Sequence, residues 1–198
     1  MILYTADHGE MLGDHHMFAK ANPFEGSARV PFLLRPPASL RLPRRAAPGA
    51  PVGLQDVMPT LLDAAGLAIP DGVTGRSVLP LIAGDSGGWR DALHGEHAPT
   101  YAPEDGVHFL VGERMKYVWF SHTGREHLFD IAADPSELHD LLRDPDASSR
   151  VAPWRRKLMD VLRDRPEGFT DGDRLIPGRP HRNLVSDGAA AALVMTTV

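Results

Sequence analysis

Met1-Ile2-Leu3-Tyr4-Thr5-Ala6-Asp7-His8-Gly9 runs from a short apolar, partly β-favouring segment straight into a polar turn, the pattern of a buried strand that ends at Asp7. Open α/β sheets place ligand-binding and catalytic groups at the carboxyl ends of their strands, which makes Asp7 and His8 candidates. A carboxylate oxygen and an imidazole nitrogen offer a divalent ion two hard or borderline ligands, suited to Ca²⁺, Mg²⁺ or Mn²⁺ when further carboxylates join. On the dipeptide alone the simpler reading is favoured, in which Asp7 caps a following helix and His8 is an ordinary turn histidine. A core strand at the first residues, with no leader and no preceding cap, is expected of a sequence that starts inside a larger fold.

Outward from this segment, Arg29-Val30-Pro31-Phe32-Leu33-Leu34-Arg35 reads as a second strand, with Pro31 placing it at an edge or a strand start. The proline-rich residues 36–51 read as an exposed loop. Two short helices are expected next. Asp56 is placed to cap Val57 through Ala65, with Val57, Leu61 and Ala65 on one face and Gly66 as terminator. Ser77 caps the second helix, Pro80 falls in its first turn and Gly84 closes it. From residue 92 the period changes, and 92–97, 107–112, 115–121 and 126–131 form four strand-like runs of an antiparallel meander. Asp134-Pro135-Ser136-Glu137 is expected to start a helical turn. Pro153-Trp154 opens a helix to about Arg165 whose apolar side uses Trp154, Leu158, Val161 and Leu162. Residues 166–198 carry turn signals and no assigned regular structure.

Composition narrows the function classes. The 198 residues are 42% hydrophobic and 24% charged, ordinary values for a globular chain, with Gly (19) and Pro (18) enriched. A formal charge of −5 and no basic cluster longer than Arg155-Arg156-Lys157 give polyanion binding no electrostatic basis, so no nucleic-acid partner is expected. The longest apolar run, Ala189 to Met195, is far short of a membrane span, and Met1 to Glu10 lacks the basic start and apolar core of a signal peptide. No membrane partner is expected either. The absence of cysteine excludes disulfides, thiolate metal sites and a cysteine nucleophile.

The longer string Thr5-Ala6-Asp7-His8-Gly9-Glu10-Met11-Leu12-Gly13-Asp14-His15, then Phe18-Ala19-Lys20 and Phe24-Glu25-Gly26-Ser27-Ala28-Arg29-Val30-Pro31, resembles the sulfatase family of the alkaline phosphatase superfamily. Further blocks extend the resemblance to about residue 142. Gln55-Asp56-Val57-Met58-Pro59-Thr60-Leu61-Leu62 looks like the family's D-x-x-P-T-L-L helix, and Gly75-Arg76-Ser77-Val78-Leu79-Pro80-Leu81 like its G-x-S-L-x-P-L segment. Lys116-Tyr117, Glu126 to Asp130 and Asp134-Pro135-Ser136-Glu137 are similar to its K-Y, E-L-Y-D-L and D-P-x-E motifs. The resemblance implies that Asp7 and His8 are metal ligands, Ca²⁺ first with Mg²⁺ or Mn²⁺ as alternatives, and that Lys20 contacts the sulfate of a sulfate-ester substrate. The chemistry is coherent, because a cation and an ammonium together neutralise the nonbridging oxygens of an ester as its bond breaks. Only three lysines occur, Lys20, Lys116 and Lys157, so a lysine at this spacing carries weight.

His15 is the next candidate for substrate contact, ahead of His16. Glu25 and Arg29, four apart, are expected to pair as scaffold behind Lys20. The remaining histidines, His94, His97 and His108 among them, are scattered with no evident metal-ligand pairing.

The resemblance is incomplete. The family's nucleophile is a formylglycine made from a C/S-x-P-S/A-R motif, which this chain does not encode, and the family's other two acidic metal ligands are also not found. The expected fold is therefore α/β, the C-terminal part of an alkaline-phosphatase-like mixed sheet with flanking helices over residues 1–90. An antiparallel four-stranded subdomain with a terminal helix follows over 91–165, then a turn-rich tail over 166–198. An exposed truncated edge is expected to favour self-association. A phosphonate monoester or phosphodiester hydrolase, or a non-catalytic remnant or binding module, stand as the alternatives.

Overall fold

The computed structural model describes residues 1–43, 46–99 and 102–181; the end of the predicted turn-rich tail, 182–198, lies outside the described residues. β1 (Ile2–Thr5) pairs antiparallel with β2 (Phe32–Arg35), Ile2 opposite Arg35 and Thr5 opposite Phe32. The strand was expected to be buried, but the ribbon has an open face. Ile2 and Tyr4 are each 63% exposed, whereas Leu3 and Thr5 are half-buried. Side chains alternate across a strand, and among the described residues only one side of this two-stranded sheet is covered.

Between the ribbon and the second sheet, the organising group is a buried carboxylate. Asp56 is fully buried; it accepts the Gly53 N–H (2.9 Å) and the Arg76 N–H (2.8 Å), and binds the Arg90 guanidinium through both oxygens (2.6 and 2.7 Å). Its side chain caps the 3-10 turn Leu54–Asp56 and makes no cap bond to α2 (Val57–Ala64), which corrects the expected role. The buried face of α2 differs as well. Pro59 and Thr60 are inside while Leu61 is 45% exposed. The Thr60 hydroxyl donates to the Asp56 carbonyl (2.6 Å) and accepts the Val78 N–H (3.1 Å), so satisfying buried polar groups sets the helix rotation against the hydrophobic stripe. In α3 (Leu79–Ile82) Pro80 falls in the first turn as expected, while the N-cap is Val78, one residue after the expected Ser77, whose hydroxyl accepts the Leu79 N–H at 3.2 Å from before the helix.

The meander forms as expected. β3 (Leu93–His97), β4 (Val107–Val111), β5 (Met115–Phe120) and β6 (Glu126–Asp130) pair in sequence order, all antiparallel. The 134–137 segment makes a turn, not a helical start: the Glu137 N–H bonds the Asp134 carbonyl, and Glu137 adopts φ 54°. α4 (Ala147–Leu162) begins six residues before the expected Pro153, which lies inside it. Ala147 and Val151, four apart, extend the buried stripe of Leu158 and Leu162 towards the N-terminus, and this burial outweighs the backbone bond that proline forgoes. Val161, expected inside, is 47% exposed. The helix packs on Leu110, Tyr117, Trp119 and Leu128, and fully buried Phe169 from the following segment completes the core. Among the described residues no helix is long and apolar enough to cross a membrane.

Asp56→Ala leaves the Arg90 guanidinium, 12% exposed, without its partner. The expected loss is about 3–5 kcal/mol, against less than about 1 kcal/mol for Arg114→Ala in an exposed pair. Urea denaturation of both variants checks the difference.

Candidate functional site

Asp7 and His8 follow β1, with Ala6 between the strand and Asp7. The His8 amide donates to Asp7 Oδ1 (3.0 Å), and His8 Nδ1 lies 2.7 Å from the Gly9 carbonyl. A carbonyl only accepts, so Nδ1 carries the ring proton and Nε2 keeps its lone pair. Lys20 Nζ donates to that lone pair at 2.7 Å, and Asp7 Oδ2 lies 3.6 Å from the same nitrogen. The three residues named from sequence therefore meet at His8 Nε2.

Two features hold this arrangement. The Gly9 N–H donates to the Ser27 carbonyl (2.8 Å), and a Cβ at Gly9 would stand 2.1 Å from the Gly26 carbonyl oxygen, so only glycine permits the approach. The loop from 11 to 21 is anchored by buried Met11, whose N–H donates to the Ala19 carbonyl (3.0 Å). Leu12, His15, His16, Ala19 and Ala21 all have left-handed backbone, so Lys20 is flanked on both sides by residues held in a costly conformation.

His15 sits elsewhere. Its ring stacks on Phe24 (centroids 4.2 Å apart, 15° between planes) and its Nε2 lies 3.0 Å from the Ser136 carbonyl. That clamps the loop to the turn after β6. His16 is exposed.

Glu25 does pair with Arg29 at 3.5 Å, but its stronger partner is Lys116 of β5. The fully buried Lys116 ammonium donates to Glu25 Oε1 (2.6 Å) and Glu137 Oε1 (2.8 Å), while Glu137 Oε2 accepts the Glu25 N–H (2.6 Å). Burial pushes the Glu137 carboxyl up from its ordinary value, and the Lys116 charge opposes that rise. Sequence reasoning missed this triad. Its one available signal was a lysine inside the otherwise apolar run Met115 to Phe120.

Asp7 borders a cleft of about 710 Å³ shared with Arg29, Phe32, His94 and Phe109. Lys20 borders a separate hollow of about 450 Å³ with Phe18, Phe24 and Arg125. The two groups touch through His8 yet face different cavities. The donor chemistry fits a divalent cation in part, since a carboxylate oxygen and an imidazole lone pair 3.6 Å apart can serve as two of its ligands. A second grouping arises where sequence showed only scattered histidines: donor atoms of His94, Glu96 and His108 lie within 4.8 Å of one another.

A model of the family described as N-sulphoglucosamine sulphohydrolase, C-terminal, matches residues 13–164. The chain belongs to the sulfatase family, within the alkaline phosphatase superfamily. It is 42% identical over 185 residues to an arylsulfatase of Clostridium perfringens, covering 93% of this chain and 38% of that protein. It is 35% identical over 155 residues to a choline-sulfatase of Rhizobium meliloti, covering 73% of this chain and 27% of the relative. Among solved structures, a Bacteroides thetaiotaomicron protein classed as a sulfatase superposes with a TM-score of 0.73 at 26% identity over 91% of this chain and 42% of that one. A phosphonate monoester hydrolase of Agrobacterium radiobacter gives 0.65 at 30% identity over 82% and 34%. The chain thus spans well under half the length of these sulfatase-family relatives.

Lys116→Met strands two carboxylates beside an apolar residue. The expected cost is about 3–5 kcal/mol, with faster amide exchange across residues 9–29 than in wild type; hydrogen-exchange mass spectrometry reads both the global and the local effect.

Proposed function

We propose that this chain carries part of a sulfatase active centre. Asp7 and His8 are two ligands of a divalent cation, Ca²⁺ first with Mg²⁺ or Mn²⁺ as alternatives, and Lys20 grips the nonbridging oxygens of a sulfate ester. The carrying observation is the convergence of the Lys20 ammonium and the Asp7 carboxylate on one imidazole lone pair. The cation, when bound, supplies neutralisation of the ester's negative charge. His8 is oriented for ligation by its Nδ1 proton on the Gly9 carbonyl. Lys20 and a cation compete for the same Nε2 lone pair, so a ligated His8 releases the ammonium for the substrate oxygens. Asp7, 89% exposed, is open to the remaining ligands. His15, proposed from sequence for substrate contact, serves better as the clamp between loop and turn that its contacts describe.

The formylglycine nucleophile of such an enzyme is not encoded here, so covalent ester cleavage needs further polypeptide. A phosphonate monoester or phosphodiester hydrolase is the second reading, supported by the 0.65 superposition on the Agrobacterium enzyme and by 31% identity to a multifunctional alkaline phosphatase superfamily protein of Trinickia caryophylli. A non-catalytic remnant or binding module is the third reading.

The purified 198-residue chain is expected to leave 4-nitrophenyl sulfate and a phenylphosphonate monoester unhydrolysed. A polypeptide extended in frame through a C/S-x-P-S/A-R motif is expected to hydrolyse the sulfate, and Asp7→Asn or Lys20→Ala to lower its kcat/KM by about 10²-fold or more. Unchanged kcat/KM in both variants would remove the assigned roles.

Ile2, Tyr4 and Leu33 (62% exposed) leave an apolar ribbon face and an unpaired strand edge, on which we base self-association of the isolated chain. Light scattering is expected to show dimers or larger species at micromolar concentration. A monodisperse monomer would count against it.

A further inference from the structure

The antiparallel register of β3 and β4 places Glu96 directly opposite His108, and the two-residue period of a strand puts His94 on the same face. His108 is fully buried, with Trp119 (5.9 Å), Phe169 (4.9 Å) and His181 (5.4 Å) around its ring. Its Nε2 has no hydrogen-bond partner among the described residues, so every polar contact of this ring runs through Nδ1. That nitrogen lies 3.2 Å from His94 Nε2 and 3.3 Å from Glu96 Oε2.

Ligand atoms about 2.0–2.1 Å from a tetrahedral zinc ion are separated by about 3.3 Å along each edge of the tetrahedron. Both measured separations match that edge, and the third donor pair lies within 4.8 Å. Two imidazoles and one carboxylate form the ligand set that borderline transition ions prefer, unlike the oxygen-rich set favoured by Ca²⁺.

We propose that His94 Nε2, His108 Nδ1 and Glu96 form a three-ligand Zn²⁺ site on the meander, separate from Asp7 and His8. Arg165 bonds Glu96 (3.0 Å) and Glu167 (3.1 Å) at once. Arg165 thereby also orients Glu96 from behind, as ligating carboxylates usually require.

The test uses the full 198-residue chain, freed of any affinity tag and stripped with chelator. It is titrated with Zn²⁺ alone against a chromophoric competitor. The expected result is one equivalent of Zn²⁺ bound with micromolar or tighter affinity, weakened at least 10-fold by His94→Gln and by Glu96→Gln and unchanged by His122→Gln. Zn²⁺ is also expected to raise the melting temperature of the parent and to leave that of Glu96→Gln unmoved, which separates lost ligation from lost folding. Zinc-edge X-ray absorption of the loaded parent should show two imidazole rings. Binding weaker than about 100 μM, equal affinity in His94→Gln, or a zinc spectrum without imidazole would overturn the proposal.

Discussion

A single ammonium group, buried beyond the reach of water between two carboxylates, joins the halves of this molecule. Lys116 comes from the meander, Glu25 from the segment behind the Asp7-His8 turn, and Glu137 from the turn after β6. A buried charge with one partner removed is strongly destabilising, so the three elements hold their mutual distances or the charge is left uncompensated. Gly9 bonds the carbonyl of Ser27, two residues past Glu25. The position of His8 is thereby coupled to an ion pair that spans 91 residues of sequence. The clamp of His15 on Phe24 and Ser136 ties the same loop to the same turn by a second route.

Asp56 repeats the principle in the middle of the chain. Two backbone amides and the Arg90 guanidinium converge on its buried carboxylate. The Thr60 hydroxyl bridges the Asp56 carbonyl and the Val78 amide, and α2 turns Pro59 and Thr60 inward as a result. In both places buried polar groups decide orientation and the apolar surfaces follow. The meander core of Tyr117, Trp119, Leu128 and Leu158 is held in the opposite way, by apolar packing of a helix on a sheet.

The two candidate metal sites differ in how visible they are. Asp7 and His8 are adjacent in sequence and Lys20 follows within one loop, so a motif displays all three, and the structure joins them at one nitrogen. His94 and Glu96 lie on β3 and His108 on β4, and nothing in their spacing marks them. They become neighbours only because the β3–β4 register sets residue 96 against residue 108; a shift of one residue would send His108 to the other face.

From the sequence alone came the strand order of the meander, the two short helices, the strand that precedes the Asp7 turn and the family to which the chain belongs, because period, turn residues and motif order are local properties. Tertiary structure decided which face of α2 is buried, where α4 begins, what Glu25 binds and where His15 rests. Each of these depends on a partner distant in sequence, whether Val78, Trp119, Lys116 or Ser136, and a partner brought in by folding outweighs a local preference once water is excluded and a polar group or an apolar stripe has no other means of being satisfied.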